Sequence, residues 1–368
     1  MKVAVVTENY FPTLGGVQEH VYHLKRWLTA QGVGVKVLTG DPGVADRMAP
    51  ADSGDDVIRV GRAWRYSAMG SDTYATMGPL AMMGLRRALR DGGFDLVHVH
   101  GPCDVGLPLL AYAAWQGPIV STLHSWFPDS RLRRLASPAY QWALSRASAV
   151  IAVSESTRAT MARYARFPAE IIPNGIDVAW WQAGRPVPGI RDGRVNVLYL
   201  GRLEPRNGID VLLEAFPRIA DADPRVHLLV AGDGPGRAGY EAMVPAHLRG
   251  RVSFLGAVGR ERPDLLASAD LFVVPARSVG FSILVLEALA AGLPVVALPA
   301  PGVDTAGAHW STVRLARDAT PAALAQAALD ALGADNAARV REGKRIVRGF
   351  DWDVVAPRVL AVYERALA

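Results

Sequence analysis

What most constrains this chain is an alternation of strand-like and helix-like segments that runs its course, lapses, and begins again. Lys2–Thr7 is largely apolar, β-branched and uninterrupted, the pattern of a strand buried on both faces. A Gly15-Gly16 turn follows, and from Val17 to Ala30 the apolar residues Val21, Leu24 and Leu28 recur at helical spacing. Residues 33–38, 95–99, 119–123 and 149–153 read as further strands with helical stretches between them. The pattern lapses after Ile171-Ile172-Pro173, and a Gly- and Pro-rich stretch occupies 183–193. It returns with strands at 195–200, 226–231, 252–255, 271–274 and 294–298 and a helix at 209–219. Such alternation predicts an α/β fold of two doubly wound parallel-sheet domains, 1–182 and 194–353, joined by a linker at 183–193. A final helix, about 354–368, is expected to pack back on the first half.

Composition narrows the function classes. The single cysteine, Cys103, excludes an intramolecular disulfide and a cysteine zinc cluster, and reads as a buried inert thiol. The opening apolar run is interrupted at Glu8-Asn9, unlike a signal peptide, and no stretch approaches the ~20 apolar residues of a membrane helix. A cytoplasmic protein, at most peripheral at the inner membrane face, is expected. The net charge of +5 is spread along the chain, which gives no nucleic-acid footprint.

Ligands of open α/β sheets bind beyond the carboxyl ends of the strands, so the candidate residues lie in the loops there. Gly15-Gly16 precedes a helix N-terminus, where backbone N–H groups favour an anion. The strand at 195–200 runs into Gly201-Arg202-Leu203-Glu204-Pro205-Arg206-Asn207-Gly208, and Arg202 there suits a diphosphate. Gly232-Asp233-Gly234 closes another strand at the same edge, either as a plain turn or as part of a nucleotide pocket. The block from Pro275 to Val296 turns at Gly280 and carries Glu287 among leucines and alanines, an acid that either meets a ribose diol or points to solvent. His98 and His100 alternate on one strand and share a face; structural or site-lining roles fit them better than a metal. His124 follows an apolar strand beside Ser125 and Trp126.

Glu8-Asn9-Tyr10-Phe11-Pro12, Gly15-Gly16, Ser121-Thr122-Leu123-His124-Ser125, Val153-Ser154-Glu155, Ile172-Pro173-Asn174-Gly175-Ile176-Asp177, Gly201-Arg202-Leu203 and the block from Gly280 to Val296 occur in this order. In that order they make the chain similar to the retaining glycosyltransferases of family 4, which have the GT-B fold: two Rossmann-like domains facing a central cleft. That group includes phosphatidylinositol mannosyltransferases and sucrose-phosphate synthases. The resemblance implies an acceptor-binding first half, a donor-binding second half, and transfer of a sugar from a nucleotide-diphosphate sugar (UDP-, GDP- or dTDP-linked) to an acceptor hydroxyl. It implies that Gly16, beside Gly15, brings its N–H to the donor phosphate and that His124 contacts the donor sugar. Arg202 would neutralise the leaving diphosphate, with Arg206 and Asn207 beside it. Gly280, Phe281 and Ser282 would present backbone groups, and Glu287 would hold the ribose. Tyr10, Trp126, Asp129 and Arg131 are the acceptor-side candidates. The run Arg131, Arg133, Arg134 either touches a lipid surface or is a solvated face.

Two departures stand out. The family pattern has lysine where Asn207 stands and glutamate where Val279 stands. Arg206 or Arg277 is near enough in sequence to replace the cation; nothing replaces the carboxylate. Alternatives therefore stay open: an unusual donor, such as a deoxysugar nucleotide or phosphoribosyl diphosphate, or an inactive nucleotide-sugar-binding module. No cofactor and no metal are expected. Asp221-Ala222-Asp223 sits at the wrong end of a strand, and Asp351-Trp352-Asp353 introduces the last helix. Lysine is scarce after Lys36, with Lys344 alone beyond it, which argues against pyridoxal chemistry and a glycan phosphorylase.

Overall fold

The first strand, β1 (Lys2–Thr7), is buried from Val3 onward, because parallel neighbours flank it and both of its faces are covered. The computed structural model describes residues 1–13, 15–43, 54–68, 71–101, 106–303 and 307–368; Cys103 lies outside the described residues. β2 (Gly34–Asp41), β3 (Val57–Arg62), β6 (Leu96–His100), β7 (Ile119–Leu123), β8 (Ala149–Ala152) and β9 (Glu170–Ile171) complete a sheet of order β3-β2-β1-β6-β7-β8-β9. A separate pair, β4 (Trp64–Ala68) and β5 (Ser71–Ala75), carries no periodic signal that the sequence reading used. Parallel register sets Val5 opposite Val37 and His98, and Thr7 opposite His100. Alternate residues of β1 serve opposite cores. Val3 and Val5 pack with Leu24, Leu28, Val355 and Val359; Ala4 and Val6 pack with Leu85, Leu89 and Leu107.

The second sheet has the order β12-β11-β10-β13-β14-β15, from β10 (Val195–Leu200), β11 (Val226–Ala231), β12 (Val252–Gly256), β13 (Leu271–Val274), β14 (Val295–Ala297) and β15 (Arg314–Leu315). Helices Ile209–Ala222 and Pro321–Leu332 cover one face, burying Leu212, Phe216, Leu324 and Ala328 against Val197 and Val230.

The chain forms two units: Met1–Ala68, Asp72–Gly175 and Trp352–Ala368 in the first, Ile176–Asp351 in the second. The crossing at Gly175 differs from the expected boundary at 182 and linker at 183–193. Trp181 is buried, and the Trp180 and Trp181 rings lie 5.7 and 5.1 Å from the Arg262 guanidinium. The Arg185 N–H donates to Asp264 Oδ1 (2.8 Å) and the Val187 N–H to Ser268 Oγ (2.8 Å). Apolar surface and backbone donors thus bind residues 176–187 to the second unit. The final helix, Trp352–Leu367, buries Val355, Val359 and Tyr363 in the first unit's core. Among the described residues no helix is long and apolar enough to cross a membrane.

Candidate functional site

In a doubly wound sheet the ligand crevice opens where the connections diverge to opposite sides. In the second sheet that point lies between β10 and β13, and the loops leaving these strands are joined there. Gly208 has φ +71°, and a Cβ on it would lie 1.8 Å from the Pro275 carbonyl oxygen, so only glycine permits this approach. The Arg277 N–H donates to Arg206 O (3.0 Å), and its guanidinium donates to Pro205 O (3.0 Å) and pairs with Asp210. Arg277 staples the two loops together, and its side chain remains 50% exposed. Asn207 also braces this loop: its Nδ2 donates to the Arg202 carbonyl (2.8 Å).

Arg202 and Arg206 both pair with Glu204, Arg202 Nη2 at 2.6 Å and Arg206 Nε at 3.2 Å. The acid is 1% exposed and the arginine side chains 40% and 47%. A buried carboxylate anchors two guanidiniums that still reach solvent at the crevice. The Leu203 N–H donates to Asp233 O (3.0 Å), which ties the Gly232–Gly234 turn to the same loop. Glu287 is buried, not solvent-facing, with Arg262 Nη1 3.7 Å from its Oε1. Ser282 stands at the start of helix Ile283–Ala291 with φ +64°, a left-handed conformation that side chains resist. Phe281 is buried and its carbonyl is taken by His309 and Trp310, so of its backbone groups only the N–H remains for a ligand.

In the first sheet the divergence lies between β1 and β6. Helix Gly16–Ala30 starts there without a side-chain cap, and Gly16 is exposed. Glu8, not singled out from the sequence, is buried; its carboxylate accepts from the Thr76 hydroxyl (2.6 Å) and the Leu107 N–H (2.9 Å). Burial raises its pKa above the usual value against the lowering effect of those bonds.

His124 joins a nest of imidazoles. Its Nε2 is hydrogen-bonded to His100 Nδ1 (2.8 Å), and the His20 ring lies 4.8 Å away. His98 is hydrogen-bonded through Nδ1 to the Tyr363 hydroxyl (2.6 Å) and through Nε2 to Thr122 (2.7 Å). The Trp352 ring lies 5.2 Å from that of His20, tilted by 60°. Burial lowers the pKa of His98 to about 3 and of His124 to about 4, and it also depresses His20 and His100, with the neighbouring imidazoles adding to the effect. The His124 ring is thus desolvated although the residue as a whole keeps partial exposure. His20 Nδ1, His100 Nε2 and Trp352 Nε1 find no hydrogen-bond partner among the described residues. The ring nitrogens of His20, His100 and His124 come within 4.8 Å of one another, so these residues could hold a metal ion. The group includes no carboxylate to balance a dication, and ligation would compete with the His100–His124 bond. The sequence reading found His98, His100 and His124 but missed His20, whose helical spacing to Leu24 was the available signal.

Of the acceptor-side candidates, Tyr10 is 2% exposed and packs on Phe11, which places it in the core. Asp129 accepts from Arg134 Nε (3.1 Å) and the Tyr164 hydroxyl (2.8 Å), and the arginine hydrogen bond foremost lowers its pKa to about 2. It is the hub of a surface clasp. Trp126 is partly exposed and Arg131 exposed. Leu132 and Leu135, beside Arg131, are 75% and 80% exposed. Neither Asp-x-Asp pair presents two free acids: Asp223 pairs with Arg225, Asp351 accepts from the Val178 N–H, and Asp353 accepts from Trp27 Nε1.

Comparison with known proteins agrees with this layout. Residues 14–180 match glycosyltransferase family 4, and residues 194–334 match the glycosyl transferases group 1 family. A phosphatidyl-myo-inositol mannosyltransferase of Propionibacterium freudenreichii is 31% identical, over 99% of this chain and 94% of that protein. One from Mycobacterium tuberculosis is 32% identical, over 99% and 97%. Among solved structures, sucrose-phosphate synthase from Thermosynechococcus elongatus superposes with a TM-score of 0.74 at 22% identity, covering 99% of this chain and 98% of that one. Anabaena HepE in complex with UDP-glucose gives 0.73 at 19% identity, covering 99% of each chain. The chain is a glycosyltransferase with the GT-B fold and belongs to glycosyltransferase family 4.

Proposed function

We propose that the protein transfers a sugar from a nucleotide-diphosphate sugar to an acceptor hydroxyl with retention of configuration and without a metal. The observation that carries this reading is the pair of half-exposed arginines held by buried Glu204 at the β10/β13 divergence. Negative charge develops on the leaving diphosphate, and a guanidinium already fixed in place stabilises it without reorganisation. Buried Glu287 offers carboxylate oxygens to a ribose diol. His124, kept neutral by its surroundings, serves the sugar as a hydrogen-bonding group rather than as a cation. No side chain is assigned as nucleophile; the leaving phosphate takes the acceptor proton on the same face.

The names of the mannosyltransferase relatives make a phosphatidylinositol the first acceptor to try. Exposed Arg131, Leu132 and Leu135 suit a peripheral contact with anionic lipid. Anionic vesicles should retain the protein and release a variant with Arg131, Arg133 and Arg134 all changed to Ala; equal retention of both would remove the membrane contact from the proposal.

A second reading, an unusual donor such as a deoxysugar nucleotide or phosphoribosyl diphosphate, is favoured by one observation. Val279 is buried where the resemblance called for a sugar-binding glutamate. Thermal shifts with UDP, GDP, dTDP, ADP and phosphoribosyl diphosphate separate the two. A ligand at about 100 times its Kd adds roughly 2.7 kcal/mol, enough to move the melting curve. A shift with one nucleoside diphosphate supports the first reading, a shift with phosphoribosyl diphosphate alone supports the second, and no shift with any of them rejects both.

A further inference from the structure

The donor loop is held from behind by two residues that no motif brought forward. The Phe281 carbonyl accepts from His309 Nε2 (2.9 Å) and from Trp310 Nε1 (3.4 Å). A carbonyl can only accept, so the His309 proton sits on Nε2. His309 is fully buried, its ring 4.7 Å from that of Phe281 and 5.3 Å from that of Phe350. Gly307 makes room for it: a Cβ there would lie 2.9 Å from His309 Nδ1, and its φ of +139° excludes most side chains.

The Phe281 carbonyl and the Ser282 N–H belong to one trans peptide and point in opposite directions. Drawing the carbonyl toward His309 and Trp310 therefore turns the Ser282 N–H the other way, at the start of helix Ile283–Ala291. Ser282 keeps φ +64°, which an L-residue tends to leave, and rotation of this peptide would relieve it. Two hydrogen bonds to the carbonyl oppose that rotation.

We propose that His309 and Trp310 are positioning residues of the donor site, a latch that fixes the Ser282 N–H as a ready-made donor to the diphosphate. The inference rests on the donor-site reading above. It predicts a defect confined to the phosphate-bearing part of the ligand, which a general loosening of the fold would not produce.

The test compares UDP and GDP with uridine and guanosine as calorimetric ligands, on the full chain and on His309→Phe, His309→Gln and Trp310→Phe. His309→Phe keeps a ring and removes the donor; it should weaken the preferred nucleoside diphosphate about tenfold and leave its nucleoside within about twofold. His309→Gln, which restores an N–H, should recover most of the loss. Trp310→Phe should show a smaller loss of the same kind, and it carries the test if His309→Phe does not fold. Equal weakening of nucleoside and diphosphate, or no weakening in folded variants, overturns the latch. If the unmodified protein binds none of UDP, GDP, dTDP and ADP, the donor-site reading itself fails and the latch falls with it.

Discussion

Arg202 and Glu204 form an ion pair across 2.6 Å in which the acid is buried and the arginine reaches solvent. The same carboxylate holds Arg206, so one buried group sets the direction of two cations. If the pair serves the leaving diphosphate, Arg202→Ala should lower kcat by about 10²–10³ with little change in melting temperature. Glu204→Gln should lower kcat/KM by about tenfold, because both guanidiniums lose their anchor. Steady-state kinetics with each nucleotide sugar, alongside thermal melts, checks both; unchanged kcat in Arg202→Ala would remove the residue from the mechanism.

The imidazole nest ties stability to acid. Burial holds the pKa of His124 at about 4 and of His98 at about 3, below the 6.5 of an exposed imidazole. Below 6.5 the unfolded chain takes up protons that the folded chain refuses, so stability is full above that pH and falls as pH drops from about 6.5 toward about 4. Melting temperature across this window should decline, and His98→Gln should flatten the decline. A melting temperature independent of pH would contradict the burial of these rings.

Ser282 tests the cost of the donor loop. Glycine adopts φ +64° freely, so Ser282→Gly should raise unfolding free energy by about 0.5–1 kcal/mol, read from urea titration. Loss of stability would mean that the serine side chain makes a contribution larger than its backbone strain.

Val279 separates the two donor readings. It is 4% exposed, so Val279→Glu buries an acid and should lower the melting temperature. With an ordinary donor pocket, donor selectivity stays as it was; a gain in hexose-nucleotide use would favour the retuned pocket.

The strands were readable in the sequence because parallel strands buried on both faces are continuous apolar runs, as Lys2–Thr7 and Val226–Ala231 are. The glycine turns and Arg202 were readable because loops at strand ends have restricted chemistry. What stayed hidden depends on distance along the chain. His20, His100 and Trp352 meet only because β6, helix Gly16–Ala30 and the last helix converge. The domain boundary was misplaced because the Gly- and Pro-rich composition of 183–193 suggests a linker, while buried Trp181 and the Arg185 and Val187 backbone contacts dock it. Nothing in one sequence says that a polar side chain is already bonded within its own loop, as Asn207 is to the Arg202 carbonyl and Asp129 to Arg134.

The first unit is assembled from segments on either side of the second, and its Tyr363 hydroxyl reaches His98 from the final helix. A ribosome releases the second unit whole before it releases the helix that finishes the first. The continuous unit is therefore free to fold during synthesis, whereas the discontinuous one must hold an open core until the last turns emerge. Damage to that final helix should thus be felt far away along the chain, in the histidine nest that Tyr363 joins through His98.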